Sequence, residues 1–122
     1  MSVPDPVLRI NLRSGNKLYF IPLKDVLYCR ANGNYTCFFL TNNTELISSK
    51  SLAKIRKELI PQGFIPIHKS YLVNSMHIRY ISFNEKCTVM LINNVELEIS
   101  RRSKMQIQEM LRSGRLTVNH KY

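Results

Sequence analysis

The chain has 122 residues, enough for one domain whose core needs neither a metal nor a disulfide to hold it. Its 44% hydrophobic and 21% charged residues are ordinary for a globular protein, and no apolar run reaches the ~18 residues that a transmembrane helix requires. The charge is not ordinary: 18 Lys and Arg against 8 Asp and Glu leave +10, a field that gathers polyanions, and no stretch has the basic amphipathic pattern of a membrane-surface helix, so nucleic acid leads and a membrane is not expected.

The opening "MSVPDPVLRI" carries two prolines and an acid and lacks an apolar core, so no signal peptide is expected. "VLRINL" (7–12) alternates as a strand, "SGN" (14–16) turns, and "KLYFIP" (17–22) forms a second strand ending in proline. After the connector "LKD", "VLYCRA" (26–31) and "YTCFFL" (35–40) flank "NGN", whose Asn-Gly pair tolerates positive φ and signals a hairpin. A three-residue loop there sets Cys29 opposite Cys37, whereas a two-residue Asn32–Gly33 turn pairs Cys29 with Thr36. Three Cys without a secretory signal point to reduced, buried thiols and a cytoplasmic protein, with a Cys29–Cys37 disulfide as the alternative. "TNN" (41–43) then turns into "TELIS" (44–48).

At "SLAKIRKEL" (51–59) the period changes: Leu52, Ile55 and Leu59 share one helical face, Ser51 can cap it, and Pro61 and Gly63 end it. Lys54, Arg56 and Lys57 are assigned to the solvated outer surface. "FIPIHKSYLVN" (64–74) places His68, Lys69 and Ser70 between two apolar pieces; the chain must leave the core there, because an unpaired lysine is not buried. Phe64, Ile67, Tyr71, Leu72 and Val73 anchor the polar tip on both sides. "HIRYISF" (77–83), "CTVMLI" (87–92) and "VELEI" (95–99) read as three more strands. Ser100 precedes "RRSKMQIQEMLR", a C-terminal helix or helical turn with Ile107, Met110 and Leu111 as its apolar stripe and Met105 one turn earlier. Residues 113–122 read as a loosely held tail. The fold class is therefore mostly β, made of antiparallel strands with one short central helix, in a single domain with its core over about 7–112.

No catalytic residue, cofactor or metal is expected. Four scattered glycines make no phosphate loop, and the His and Cys spacing fits no metal site. A small basic nuclease would need His68, Lys69 and a second histidine such as His120 to converge. Three tips could instead meet nucleic acid. "HKS" (68–70) is a stiff cationic turn, which loses little entropy on meeting a fixed partner. "SRRSK" (100–104) sets two arginines, a lysine and two hydroxyls at a helix start, where the cations oppose the macrodipole and the arginine fork suits phosphate or guanine. "RANGNY" (30–35) offers amides that can pair with adenine, although tight turns use the same residues.

Taken together, "IPLKDVLYCRANGNYTCFFL", "SLAKIRKEL", "FIPIHKSYLVNSMHIRYI" and "VELEISRRSKMQIQEML" resemble the LytTR family of DNA-binding domains over residues 7–112. The resemblance implies an elongated stack of small antiparallel sheets whose loops enter successive major grooves of double-stranded DNA. It implies base contacts at Asn34, Lys69 and Arg102, phosphate contacts around Ser70, Ser100, Arg101, Ser103 and Lys104, and a positioning role for His68. It further implies a non-enzymatic output domain of a bacterial transcription regulator, two copies on direct repeats, and a receiver domain or sensor kinase as partner where the chain serves a two-component system. Pro66 departs from the pattern, since the family usually carries Arg there. An RNA-binding β module is the competing reading; it would need exposed aromatics, and Tyr19, Tyr28 and Tyr35 are expected to pack within strands.

Overall fold

The computed structural model describes residues 8–116, so Val7 at the head of the first expected strand, the end of the expected tail and His120 lie outside the described residues. Among the described residues, ten strands and two α-helices follow one another. β1 (Arg9–Ser14) and β2 (Lys17–Pro22) form a two-stranded hairpin. β3 (Val26–Asn32), β4 (Tyr35–Leu40), β5 (Glu45–Ser48), β6 (Phe64–His68) and β7 (Tyr71–Asn74) form a five-stranded sheet ordered β5-β4-β3-β7-β6. β8 (Ile78–Phe83), β9 (Cys87–Leu91) and β10 (Glu96–Glu98) form a three-stranded sheet, and every pairing in the three sheets is antiparallel. The mostly-β, small-sheet architecture read from the sequence is thus the observed one.

The five-stranded sheet is the middle layer, with a separate core on each face. On one face Cys29, Phe38, Phe64 and Leu72 pack against Ile10, Leu12 and Ile21 of the first hairpin and against Leu52, Ile55 and Leu59 of helix α1 (Leu52–Leu59). On the other, Leu27, Tyr28, Ile65, Ile67 and Val73 pack against Cys87, Val89 and Leu91 and against Ile107 of helix α2 (Arg101–Arg112). Two faces need two sets of apolar residues, so β3 and β6 read as near-continuous hydrophobic runs. Irregular pairing at Val26/Tyr28 and at Pro66/His68 lets neighbouring residues such as Leu27 and Tyr28 enter the same core. Pro66 is tolerated because β6 is an edge strand and need not donate outward.

Both helix starts are capped as their sequences suggest: Ser51 Oγ accepts from the Lys54 N–H and Ser100 Oγ from the Ser103 N–H. α1 ends through a short 3₁₀ turn, Ile60–Gln62, closed by Gly63 at φ 99°. α2 runs for 12 residues; Ile107 is buried and Met110 and Leu111 half-buried, but Met105 is 71% exposed and lies off the stripe assigned to it.

The hairpin between β3 and β4 corrects the sequence reading. Its central residues are Gly33 and Asn34, with Asn32 paired to Tyr35, so neither the three-residue loop nor the Asn32–Gly33 turn forms. The reason is local. Gly33 takes the positive φ, 59°, at the first turn position, and Asn34 has no positive φ, the sign pattern of a type II′ turn. Cys29 therefore pairs with Phe38 and Cys37 with Arg30. Adjacent residues on β4 face opposite ways, so the two thiols lie on opposite faces, and all three cysteines are free and buried. Burial raises the pKa of each thiol, which keeps them protonated and unreactive.

Candidate nucleic-acid interface

The tips singled out in the sequence lie along one end of the five-stranded sheet. β3 runs toward the Gly33–Asn34 turn, and β7 starts beside it, Arg30 pairing with Tyr71. The next step of that ladder is the Ala31 N–H donating to the Ser70 carbonyl at 2.8 Å, which fastens the base of the first tip to the Lys69–Ser70 turn. On the far side of the same turn, the Ser100 N–H donates to the Ile67 carbonyl at 2.8 Å and seats the start of α2 against the end of β6. Two backbone hydrogen bonds thus join three segments distant in sequence, in the order β3–β4 tip, β6–β7 tip, α2 start.

Within this row Asn34, Lys69, Arg101 and Arg102 are exposed, as contact residues must be. His68 is half-buried; its Nδ1 accepts from the Ser70 N–H at 3.2 Å and its ring meets Tyr71 edge-on at 6.0 Å. His68 therefore braces the turn from within. Ser100 and Ser103 are mainly structural, since the Ser100 hydroxyl is the helix cap, the Ser103 N–H is engaged by it, and Ser103 is buried. Both nevertheless line an open cleft of about 480 Å³, together with Arg56, Ile60, Pro66, His68, Lys69, Arg102 and Gln106. Lys104 is half-buried and close enough to Cys87 to pull the pKa of that buried thiol partly back down. The cleft and the α2 start thus bring together Lys69, His68, Arg102, Ser100 and Ser103, while Asn34 stands apart on its own tip, joined through the Ala31–Ser70 bond.

The row is electrostatically unbalanced. Among the described residues the ion pairs are Lys50–Glu58 and Arg112–Glu109, and neither touches it. No side-chain hydrogen bond or ion pair of Lys69, Arg101 or Arg102 is formed within the described residues. Carboxylates would quench these cations; an anion supplied from outside would complete them.

Three residues escaped the sequence reading. Arg30, noted only as a polar tip residue, holds its guanidinium 5.1 Å from the Phe39 ring centroid, and Phe39 in turn stacks on Tyr28 at 4.3 Å. Cation–π seating of this kind fixes a long side chain beside the tips. Tyr35, expected to pack, is 53% exposed next to Asn34. Arg56, assigned with Lys54 and Lys57 to the solvated face of α1, is half-buried and turned into the cleft, its Nη2 donating to the His68 carbonyl at 3.4 Å. The α1 periodicity could have flagged it, since Arg56 directly follows the fully buried Ile55.

Comparison with known proteins identifies the family and the fold. The LytTr DNA-binding domain family matches residues 16–112. The chain is 27% identical over 88 residues to the transcriptional regulatory protein LytR of Staphylococcus aureus strain N315, covering 70% of this chain and 35% of that protein. It is 23% identical over 115 residues to the heme-containing CO-sensing transcriptional regulator RcoM 1 of Paraburkholderia xenovorans, covering 90% of this chain and 43% of that protein. The chain therefore spans between about a third and a half of the length of these relatives. Among solved structures, the LytTr DNA-binding domain of a Bacillus cereus protein assigned as a methyl-accepting/DNA response regulator has the same fold, with a TM-score of 0.73 at 20% identity, over 84% of this chain and 95% of that one.

Proposed function

The chain belongs to the LytTr DNA-binding domain family, and from that premise we propose that it binds double-stranded DNA in a sequence-specific way as the output domain of a bacterial transcription regulator. The observation that carries this reading is the row of exposed, acid-free tips fastened by the Ala31–Ser70 and Ser100–Ile67 backbone bonds. Two β turns and the first turn of α2 hold an amide, an ammonium and a guanidinium at one end of the sheet, and each would enter a major groove and contact base edges: Asn34, Lys69 and Arg102. Arg102 suits guanine, whose O6 and N7 accept both arms of the fork, and Asn34 suits adenine. Ser70, Ser100, Arg101, Ser103 and Lys104 surround them and face phosphates, with His68 holding the turn. Phosphate contacts set register and affinity, and base contacts set the choice of sequence.

Two copies would bind direct repeats, and in a two-component system a receiver domain or sensor kinase would control them; the words "response regulator" in the name of the structural neighbour are in keeping with the second point. The domain then acts in the cytoplasm and performs no chemistry of its own. Selection from a randomised duplex pool, followed by titration of the enriched site, tests the reading. A recurring motif bound about a thousandfold or more above random duplex supports it. With about six phosphates neutralised, log K should fall with log salt at a slope near −5. An RNA-stacking reading would rest on exposed aromatics, Tyr35 beside the tips and Phe20, Tyr80 and Phe83 elsewhere. Preference for single-stranded RNA in competition would replace the duplex reading.

A further inference from the structure

We propose that the cleft between α1, the β6–β7 turn and the start of α2 is a binding site for one backbone phosphate of DNA, with Arg56 as its principal ligand. The inference rests on the DNA-binding reading and adds to it a residue outside the three tips.

Arg56 is in an unusual state for a residue on a short surface helix. Lys54 and Lys57 on the same helix are exposed, whereas Arg56 is drawn under the rim of the cleft. Its Nε is buried and has no hydrogen-bond partner. The fork has five N–H donors, and the bond it makes, to the His68 carbonyl at 3.4 Å, is a long one. No carboxylate pairs with it among the described residues. A half-buried guanidinium whose Nε is shut off from water without a partner is unfavourable unless something else completes it.

The surroundings specify what that is. Lys69 and Arg102 line the same cleft, so three permanent cations share it with no acid lining it, and they repel one another while it is empty. Ser100, Ser103 and Gln106 supply polar groups, and Ile60 and Pro66 supply apolar wall. A tetrahedral dianion or a phosphodiester suits that lining, because arginine offers paired donors to two oxygens of one phosphate. Lys69 and Arg102 are the residues proposed to contact bases and both line this cleft, so a phosphate next to those bases falls within reach of Arg56.

The test is binding of the selected duplex, by fluorescence anisotropy across a salt series, to the full chain and to Arg56→Gln, Arg56→Lys and Lys54→Gln. Arg56→Gln should lose roughly ten- to a hundredfold in affinity, for selected and random duplex alike, as expected for one charge-assisted hydrogen-bonded pair. Its salt slope should become shallower by about 0.9, the change expected when one fewer phosphate is neutralised. Arg56→Lys should keep the slope and recover part of the affinity, and it serves as the readout if Arg56→Gln fails to fold. Lys54→Gln should leave the slope at the wild-type value. An unchanged slope in Arg56→Gln, or a loss confined to sequence preference, overturns the phosphate site; the second result would make Arg56 a brace for the Lys69 turn. If the unaltered chain does not bind duplex, the DNA-binding reading itself has failed, and that result is read before any variant.

Discussion

The two ends of the five-stranded sheet are built on opposite plans. At the end away from the tips, the buried Asn74 and the backbone groups around it find partners. Asn74, 4% exposed, donates through Nδ2 to the Leu23 and Val26 carbonyls at 3.0 Å each and accepts from the Met76 N–H at 3.2 Å. A His77 ring nitrogen meets the Lys24 carbonyl at 2.5 Å, and the Thr41 and Leu23 N–H groups donate to the Asp25 and Leu8 carbonyls. At the tip end the backbone is equally well tied, but the side chains are not: Lys69, Arg101 and Arg102 make no bonds among the described residues, and the Arg56 Nε is orphaned. One end spends its polar groups on holding the fold. The other leaves them free, as the proposed binding edge requires.

The comparison can be broken with paired measurements of stability and DNA binding. The largest effect is expected at Leu72, which is fully buried in β7 between the two ends. Leu72→Ala should lower folding stability by about 2–5 kcal/mol, seen as a lowered thermal midpoint, and an unchanged midpoint would contradict its role as an anchor of the Lys69 turn. Asn74→Ala comes next. It strips a donor from two carbonyls and an acceptor from one N–H, at a cost of about 1–3 kcal/mol of stability. Binding per folded molecule should be unchanged, because Asn74 lies at the far end. A selective loss of DNA affinity in Asn74→Ala with a normal midpoint would erase the division between the ends.

Arg102→Ala should show the reverse pattern. Exposed and without a bond of its own among the described residues, Arg102 can be removed with a stability change inside about 0.5 kcal/mol. Specific binding should weaken by about 1–3 kcal/mol, and a repeated selection should show one relaxed base position. If the variant selects the same motif with the same stringency, Arg102 is not a reading residue. The proposed assignments of Lys69 and Asn34 would then need the same measurement before they could stand.

How much of this was legible beforehand follows from the same division. The sheet order was not, but the strands were, because alternation and turn residues are local signals; β2 and β4 match their expected bounds residue for residue. Both serine caps were legible for the same reason. The β3–β4 register was not, since Asn32-Gly33 and Gly33-Asn34 are both acceptable turns. Packing chooses between them: the observed register sets Cys29 and Phe38 together in one core and Tyr28 against Phe39 on the other face. At the tips, the anchors around His68 were readable from the apolar flanks. Periodicity sets Arg56 on the flank of the buried stripe, but what it turns toward was not readable, because nothing in "SLAKIRKEL" says that a neighbouring hairpin will close over that flank. Residues whose surroundings come from distant segments are the ones that sequence periodicity misplaces.

The smallest expected effect, at Lys54, is also the sharpest control on the basic charge as a whole. Lys54 sits in the first turn of α1, exposed, and its side chain makes no hydrogen bond or ion pair among the described residues, while its N–H is engaged by the Ser51 cap. Lys54→Ala removes one of eighteen basic residues without touching the cleft, the tips or either core. If affinity came from diffuse attraction to a +10 chain, every basic residue would matter about equally, and Lys54 would weaken binding as much as Lys69 or Arg102. If affinity comes from seated contacts, Lys54→Ala should shift binding less than about twofold at physiological salt, where charges beyond about 8 Å are largely screened. Its thermal midpoint should stay where it was, because alanine is at least as good a helix former as lysine. Equal losses at Lys54 and Arg102 would reduce the tip end of the sheet to just another part of a basic surface.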